Sequence, residues 1–346
     1  MTALHPKFKL NGNSYTQNSL IIWAIENQTS QKENVKEISA FILNWFDTNQ
    51  FVLVQTSGTT GKPKIIEIEK QSMVNSALAT GHFFALSSSD NVLCCLPVKY
   101  IAGKMMVVRA MVLGLELDLV EPNSNPLENN KNYDFVAMVP LQVENSLERL
   151  YKVKVLLIGG AKLNKELELK LIENKINAYE SYSMTETVTH IALKKIGNSS
   201  FKCLPNVNVE VDSRNCLVVH APRIAKHQLI TNDIVDLISN DEFIWKGRID
   251  NVINSGGIKL FPEIIEEKLD PFFHQRFFIA GIPDSSLGEK VVMVIEGKPF
   301  NIPTPIFDVL DKYEIPKKHY FVSKFLETET GKIKRKEILS KIINPT

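Results

Sequence analysis

With 346 residues, 44% of them apolar and 23% charged, the chain has the composition of a folded globular protein of about two domains. A formal net charge of +1, with lysines scattered until the C-terminus, gives no electrostatic case for nucleic acid or an anionic membrane as a bulk partner. Cys94, Cys95, Cys203 and Cys216 form neither C-x-x-C pairs nor a metal-ligand spacing, which fits a reducing cytosol.

Met1 to Pro6 lacks the basic-then-apolar layout of a signal peptide. The longest apolar stretch, Met105 to Val120, is interrupted by Arg109, Glu116 and Asp118, so no membrane insertion is expected. The expected location is cytoplasmic.

Phe51–Val54 reads as a strand with both faces buried, and so do Val92–Leu96, Phe135–Val139 and Val153–Ile158. Between them Lys70–Phe84 and Gly103–Leu113 read as helices. Leu163, Leu167 and Leu171 place an i, i+4, i+8 stripe on a helix over 163–174. This alternation predicts an α/β sheet flanked by helices. Glu121 to Tyr133, rich in Asn, Pro and Ser, reads as a surface loop.

After Phe201 short strands such as Val207–Val211 and Leu217–His220 suggest a small β subdomain. Beyond Gly247 a further pattern appears: a helix over Pro262–Leu269, strands over Phe277–Ile282 and Lys290–Glu296, and a helix near Pro305–Lys312. The domain boundary is placed close to Asp250, giving a large domain over 1–249 and a small α+β domain over 250–346.

The stretch that follows Phe51–Val54 is Gln55-Thr56-Ser57-Gly58-Thr59-Thr60-Gly61-Lys62-Pro63-Lys64. Glycines leaving a strand let backbone N–H groups approach an anion, hydroxyls add donors, and lysines add charge. It is not the common nucleotide P-loop, because Gly58 and Gly61 enclose two residues and Pro63 follows Lys62. The full string resembles the phosphate-binding signature of the adenylate-forming superfamily of acyl-CoA synthetases, luciferases and adenylation domains. That resemblance assigns ATP phosphate binding to Thr56, Ser57, Gly58, Thr59, Thr60, Gly61 and Lys64.

Further elements follow in the order that family has them. Val155–Ile158 ends in Gly159-Gly160-Ala161, which by itself is a tight turn and by resemblance lines the adenine pocket. Tyr182-Ser183-Met184-Thr185-Glu186 resembles the family's aromatic-Gly-x-Thr-Glu signature, with Ser183 in the glycine's place. It implies Tyr182 stacked on adenine, Thr185 on the α-phosphate and Glu186 holding Mg²⁺.

Thr231-Asn232-Asp233 resembles a Thr-Gly-Asp element, with Asp233 on the ribose hydroxyls and Asn232 expected to tolerate a positive φ. Gly247 to Glu263 resembles the hinge and the strand after it. Arg248 would reach ribose or phosphate, Asp250 would absorb an inter-domain rotation, and Gly256-Gly257 would pass the pantetheine arm of coenzyme A. Gly331-Lys332-Ile333 resembles the terminal signature whose lysine bridges the acyl carboxylate and the α-phosphate. Read alone, Lys332 belongs to a solvated basic tail or a nucleic-acid patch.

The resemblance implies a two-step ligase in which ATP and a carboxylic acid give an acyl-adenylate and CoA then displaces AMP. Length and overall look are most similar to bacterial o-succinylbenzoate–CoA ligases of menaquinone synthesis. Leu96 to Gly103 aligns with an acyl-pocket segment in which Tyr100 and Gly103 would face the acid. Tyr100 is equally suited to core packing. A second carboxylate on the acid would need a cation, for which Lys99, Lys104 and Arg109 are nearby candidates. Two other readings use the same residues: an enzyme loading a carrier protein instead of CoA, and a nucleotide-binding regulator without catalysis.

Overall fold

The computed structural model describes residues 4–55, 65–327 and 333–343. Two units divide the chain, one formed by Met1–Leu163, Lys170–Val209 and Val219–Leu229, the other by Asn164–Leu169, Glu210–Val218 and Ile230–Thr346.

In the first unit, residues before Phe51 form two helices that the sequence reading leaves unassigned. Strands β1 (Lys9–Leu10) and β2 (Asn13–Ser14) make a small hairpin. Helix α1 (Gln17–Asn27) starts at a capping box, in which Thr16 Oγ1 accepts from Ser19 N at 3.2 Å. Helix α2 (Glu33–Phe46) buries Ile38, Phe41, Ile42 and Trp45, spaced i, i+3, i+4, i+7.

Strand β3 (Phe51–Gln55) pairs with β4 (Ile65–Glu69) in a separate two-stranded antiparallel sheet. Its burial departs from the expectation. Val52, Val54 and Ile68 are buried, whereas Leu53 is 60% and Ile65 71% exposed. Alternate side chains of a strand point to opposite faces, and this hairpin covers only one of them.

Helix α3 (Lys70–Phe84) spans the expected residues. Then follow β5 (Asn91–Cys94), α4 (Ile101–Leu113), β6 (Glu116–Leu119), β7 (Tyr133–Met138), α5 (Pro140–Asn145), β8 (Val153–Ile158), α6 (Lys165–Glu173) and β9 (Ala178–Ser183). The strands lie in the order β6-β5-β7-β8-β9 and all neighbouring pairs are parallel. Val92 to Cys94, Phe135 to Met138 and Leu156 to Ile158 are buried without alternation, as a sheet covered on both faces requires.

Reversal of the strand order between β5 and β7 marks a switch point, and a ligand crevice is expected outside the carboxyl ends there. Strands β10 (His190–Lys195) and β11 (Phe201–Cys203) extend the sheet beyond β9 in antiparallel fashion. The four cysteines are buried and form no disulfide with one another.

Further along the chain, β12 (Asn208–Val211), β13 (Cys216–His220), β14 (Leu229–Ser239) and β15 (Glu242–Arg248) lie side by side, with β14 and β15 antiparallel. A second sheet holds β16 (Ile253–Ser255), β17 (Ile258–Leu260), β18 (Phe277–Asp284), β19 (Gly288–Glu296) and β20 (Lys318–Val322).

Its two faces follow strand period. Ile279, Val291, Met293 and Ile295 pack with Ile265 and Leu269 of helix α7 (Pro262–Leu269). Phe278, Ala280, Val292 and Val294 pack with Ile338 of helix α8 (Arg335–Ile343). The expected helix near Pro305 is a short 3₁₀ turn over Thr304–Val309, and Pro303 and Pro305 leave little room for a longer one.

One packing detail sets the start of α4. A Cβ on Gly103 would lie 2.3 Å from the Pro97 carbonyl oxygen and 2.8 Å from that of Leu96. The helix therefore rests directly on the backbone that leaves β5. We predict that Gly103→Ala destabilises the protein by about 1–3 kcal/mol in urea unfolding. An unchanged midpoint would show that the backbone yields at no cost.

Candidate active site

The parallel strands of the first unit end together, which sets the position of each site residue that follows them. Past β5 the chain turns through Pro97 and enters α4 at its N-cap, Tyr100, whose N–H donates to the Pro97 carbonyl at 3.2 Å. Past β8 come Gly159 and Gly160. Gly159 N–H donates to the Met138 carbonyl at 3.1 Å, and a Cβ on Gly159 would lie 2.6 Å from Ser181 Oγ of β9. Gly160 has φ +87°. Tight contact and a left-handed turn thus both require glycine here. Ala161 follows at an exposed position.

Tyr182 lies in β9, opposite Ala192 of β10, with its ring edge-on to Phe201 at 5.9 Å. The 3₁₀ turn Thr185–Thr187 then carries the chain over the strand ends. Met184 N–H donates to Thr187 Oγ1 at 3.2 Å, and that hydroxyl donates back to the Met184 and Thr189 carbonyls. Thr185 is half-buried and Glu186 exposed, so a carboxylate stands at the rim of the carboxyl edge.

Among the described residues no three His, Cys, Asp or Glu side chains converge as a metal cage. A single exposed carboxylate suits Mg²⁺ that takes its other ligands from water and nucleotide phosphates. Tyr100, Gly103, Gly159, Gly160, Ala161, Tyr182, Thr185 and Glu186 accordingly all follow or end strands at one edge of one sheet.

Beneath that edge lies a buried polar cluster. Arg109, on α4, is 2% exposed. Its Nε donates to Thr80 Oγ1 at 3.3 Å and Nη2 to Thr189 Oγ1 at 3.2 Å, and the guanidinium stands 5.9 Å from the centre of the Phe135 ring. His190 sits between the same threonines, Nε2 3.2 Å from Thr80 Oγ1 and Nδ1 3.0 Å from Thr189 Oγ1.

Burial pushes the Arg109 guanidinium down to about 10, still charged at neutral pH. Burial, and then the Arg109 charge, holds the His190 imidazole well below its usual range and hence neutral. The polar partners of Arg109 are hydroxyls and a thioether, and among the described residues no carboxylate lies within ion-pair distance of it. The other two cations near Tyr100 are placed differently. Lys99 is exposed, and Lys104 donates to the Val98 and Lys99 carbonyls at 2.8 and 3.3 Å.

The second unit gathers Asp233, Arg248 and Asp250 into one cluster. Asp233 is 9% exposed and pairs in register with Arg248 across β14 and β15. Arg248 Nη1 lies 3.6 Å from Asp233 Oδ1 and Nη2 3.0 Å from Asp250 Oδ2. Burial acts to raise the Asp250 carboxyl, but the Arg248 hydrogen bond and charge outweigh it and hold it below the usual range.

Asn232 needs no positive φ. It lies within β14, outside the positive-φ residues, and its side chain links Arg214 Nη1 and Asp250 Oδ2 at 3.3 Å each. Gly256 and Gly257, with φ +60° and +83°, form the two-residue turn between β16 and β17. Left-handed φ at both positions is the demand of a type I′ hairpin. A Cβ on Gly257 would meet nothing within 4 Å.

Thr56, Ser57, Gly58, Thr59, Thr60, Gly61 and Lys64 lie outside the described residues, and so does Lys332. Sequence reasoning missed His190, Thr80 and Thr189, which are scattered hydroxyl and imidazole residues without a spacing signal. It also missed Arg214, in the turn before β13, and Trp245 of β15, whose side chains bond to the Thr231–Asp233 stretch.

Known proteins resemble this chain at the level of family and fold. A family model described as AMP-binding enzyme matches residues 17–216, more than half of the chain. The 2-succinylbenzoate–CoA ligase of Staphylococcus epidermidis is 25% identical over 329 residues, which cover 84% of this chain and 69% of that protein. An acyl-CoA synthetase (AMP-forming)/AMP-acid ligase II-like protein from Dyadobacter fermentans is 34% identical over 92% of this chain and 97% of its own, with a TM-score of 0.62.

The O-succinylbenzoate coenzyme A synthetase of Bacillus subtilis, solved in complex with ATP and magnesium ion, shares the fold. It has a TM-score of 0.74 at 20% identity, over 83% of this chain and 69% of that one. Among the described residues no helix is long and apolar enough to cross a membrane. Family model, relatives and carboxyl-edge geometry lead to one conclusion: the chain belongs to the AMP-binding enzyme family.

Proposed function

We propose that this protein is an AMP-forming acid–CoA ligase of the cytoplasm whose acid is o-succinylbenzoate, a step of menaquinone synthesis. The observation that carries the choice of acid is Arg109, a buried cation whose partners are neutral hydroxyls. A buried charge without a counter-charge is costly. An acid with a second carboxylate would supply that counter-charge, and the neutral His190 beside it adds a hydrogen-bonding group without competing charge. Relatives named for 2-succinylbenzoate support the same acid.

In this reading the Thr56–Gly61 loop with Lys64 takes the ATP phosphates, and Gly159, Gly160, Ala161 and Tyr182 take the adenine. Thr185 holds the α-phosphate and Glu186 contributes the carboxylate ligand of Mg²⁺, which supplies charge neutralisation at the phosphates. Asp233 and Arg248 take the ribose. Tyr100 and Gly103 line the acid's path.

The acid's carboxylate oxygen attacks the α-phosphorus, pyrophosphate leaves, and Lys332 neutralises charge building on the phosphate oxygens. The thiol of CoA then attacks the acyl carbon and AMP leaves. Domains 1–249 and 250–346 meet at Asp250, which takes up the rotation between the two steps, and the Gly256–Gly257 turn faces the pantetheine. No protein nucleophile is needed, because positioning and preorganised charge suffice.

The deciding experiment incubates the protein with ATP, Mg²⁺ and o-succinylbenzoate, with and without CoA, and identifies the product by mass spectrometry. Pyrophosphate release in both cases and an acyl-CoA only with CoA are expected. Thioester formation on a holo-carrier protein but not on CoA would replace CoA as acceptor, and silence with every acid would remove the ligase reading.

Two variants separate the roles. Lys332→Ala should slow pyrophosphate release about 100- to 1000-fold yet keep thioester formation from supplied acyl-adenylate. Equal losses in both half-reactions would sink the assigned role. Arg109→Met should lower kcat/KM for o-succinylbenzoate by roughly 30-fold or more, with a far smaller loss for an aryl monocarboxylate. The same loss for both acids would assign Arg109 to packing.

A further inference from the structure

We infer that Trp245 is a positioning residue for the nucleotide, acting through Asp233. The inference rests on the reading of Asp233 as the ribose carboxylate. The indole Nε1–H of Trp245 donates to Asp233 Oδ1 at 3.2 Å. That contact depends on an irregularity in the β14–β15 ladder, not on strand alternation.

Asp233 pairs with Arg248 and Ile234 with Gly247, but Val235 pairs with Trp245, so Lys246 is an extra residue on β15. In a regular ladder, residues three apart, such as Trp245 and Arg248, point to opposite faces. The inserted residue brings both to the face of Asp233. Bulges re-aim side chains in this way next to binding sites.

Arg248 and Trp245 differ in kind as partners of Asp233. Arg248 brings charge at 3.6 Å and shares itself with Asp250 at 3.0 Å. Trp245 brings a single neutral N–H on a stiff ring with no other hydrogen-bonding atom. It fixes the plane of the carboxylate without lowering the negative charge that two ribose hydroxyls would meet. The Asp233 backbone is held independently, through its N–H to Thr231 Oγ1 at 3.0 Å. Backbone, carboxylate plane and charge are thus set by three separate residues.

Trp245→Phe keeps the aromatic bulk and removes only the donor. Its KM for ATP should rise roughly tenfold, while the kcat of adenylation stays within about twofold and the KM for the acid does not move. In an Asp233→Ala background the same substitution should add nothing, because the group it acts through is gone.

A second readout needs no turnover. With 5-fluorotryptophan incorporated, the fluorine resonance that Trp245→Phe removes from among the three tryptophans should shift when ATP is added. A stationary resonance at saturating ATP would overturn the inference, and so would a full-sized loss in the Asp233→Ala background. If Asp233→Ala weakens ATP binding while Trp245→Phe is silent, the inference alone fails. If Asp233→Ala leaves ATP binding intact, the ribose assignment fails with it.

Discussion

The register of the parallel strands β5, β7, β8 and β9 is the constraint on which the first unit's candidate site depends. Val92 lies beside Phe135, Met138 beside Ile158, and Ile158 beside Glu180. Each strand is locked to its neighbour by evenly spaced backbone bonds, so their carboxyl ends reach one edge together. Segments far apart in the chain, from Tyr100 to Glu186, leave the sheet at that edge. The strand order reverses between β5 and β7, which opens the edge instead of closing it with a crossover.

Glycine serves at this edge by what it omits. Ser181 Oγ occupies the space where a Gly159 side chain would stand, and the Pro97 carbonyl occupies that of Gly103. The first contact draws a loop against a neighbouring side chain and the second a helix start against backbone, as dense interiors demand. The polar interior below them is handled differently. Arg109 is desolvated but kept in hydrogen bonds by Thr80 and Thr189, which also hold His190. Hydroxyls can satisfy an N–H without cancelling its charge. The cluster thereby keeps a net positive charge inside the protein, a state that favours an anionic occupant.

Legibility from sequence followed the reach of each signal. Helix α3 was legible to its end residues, and the central strands to within two, because apolar period and glycine punctuation are local. The strand Phe51–Gln55 was legible as a strand but not in its burial, since exposure of Leu53 depends on how many strands join it and what covers them. The Gly256-Gly257 pair was legible as needing glycine. Its turn geometry follows from the pairing of Ile253 to Ser255 with Ile258 to Leu260. Local sequence suggests a tolerated left-handed residue at Asn232, yet it is an extended strand residue whose amide bridges Arg214 and Asp250.

Composition and local order alone determined the α/β class, the near-neutral charge balance and the family to which the chain belongs. These depend on residue type and spacing, which a chain carries before it folds. Tertiary structure alone decided that Arg109, Thr80, Thr189 and His190 share one interior. It also decided that a one-residue bulge turns Trp245 toward Asp233. Such encounters join residues up to 110 positions apart, or depend on ladder register. Pairwise proximity of that kind is set by the packing of whole elements and leaves no periodic trace in the sequence.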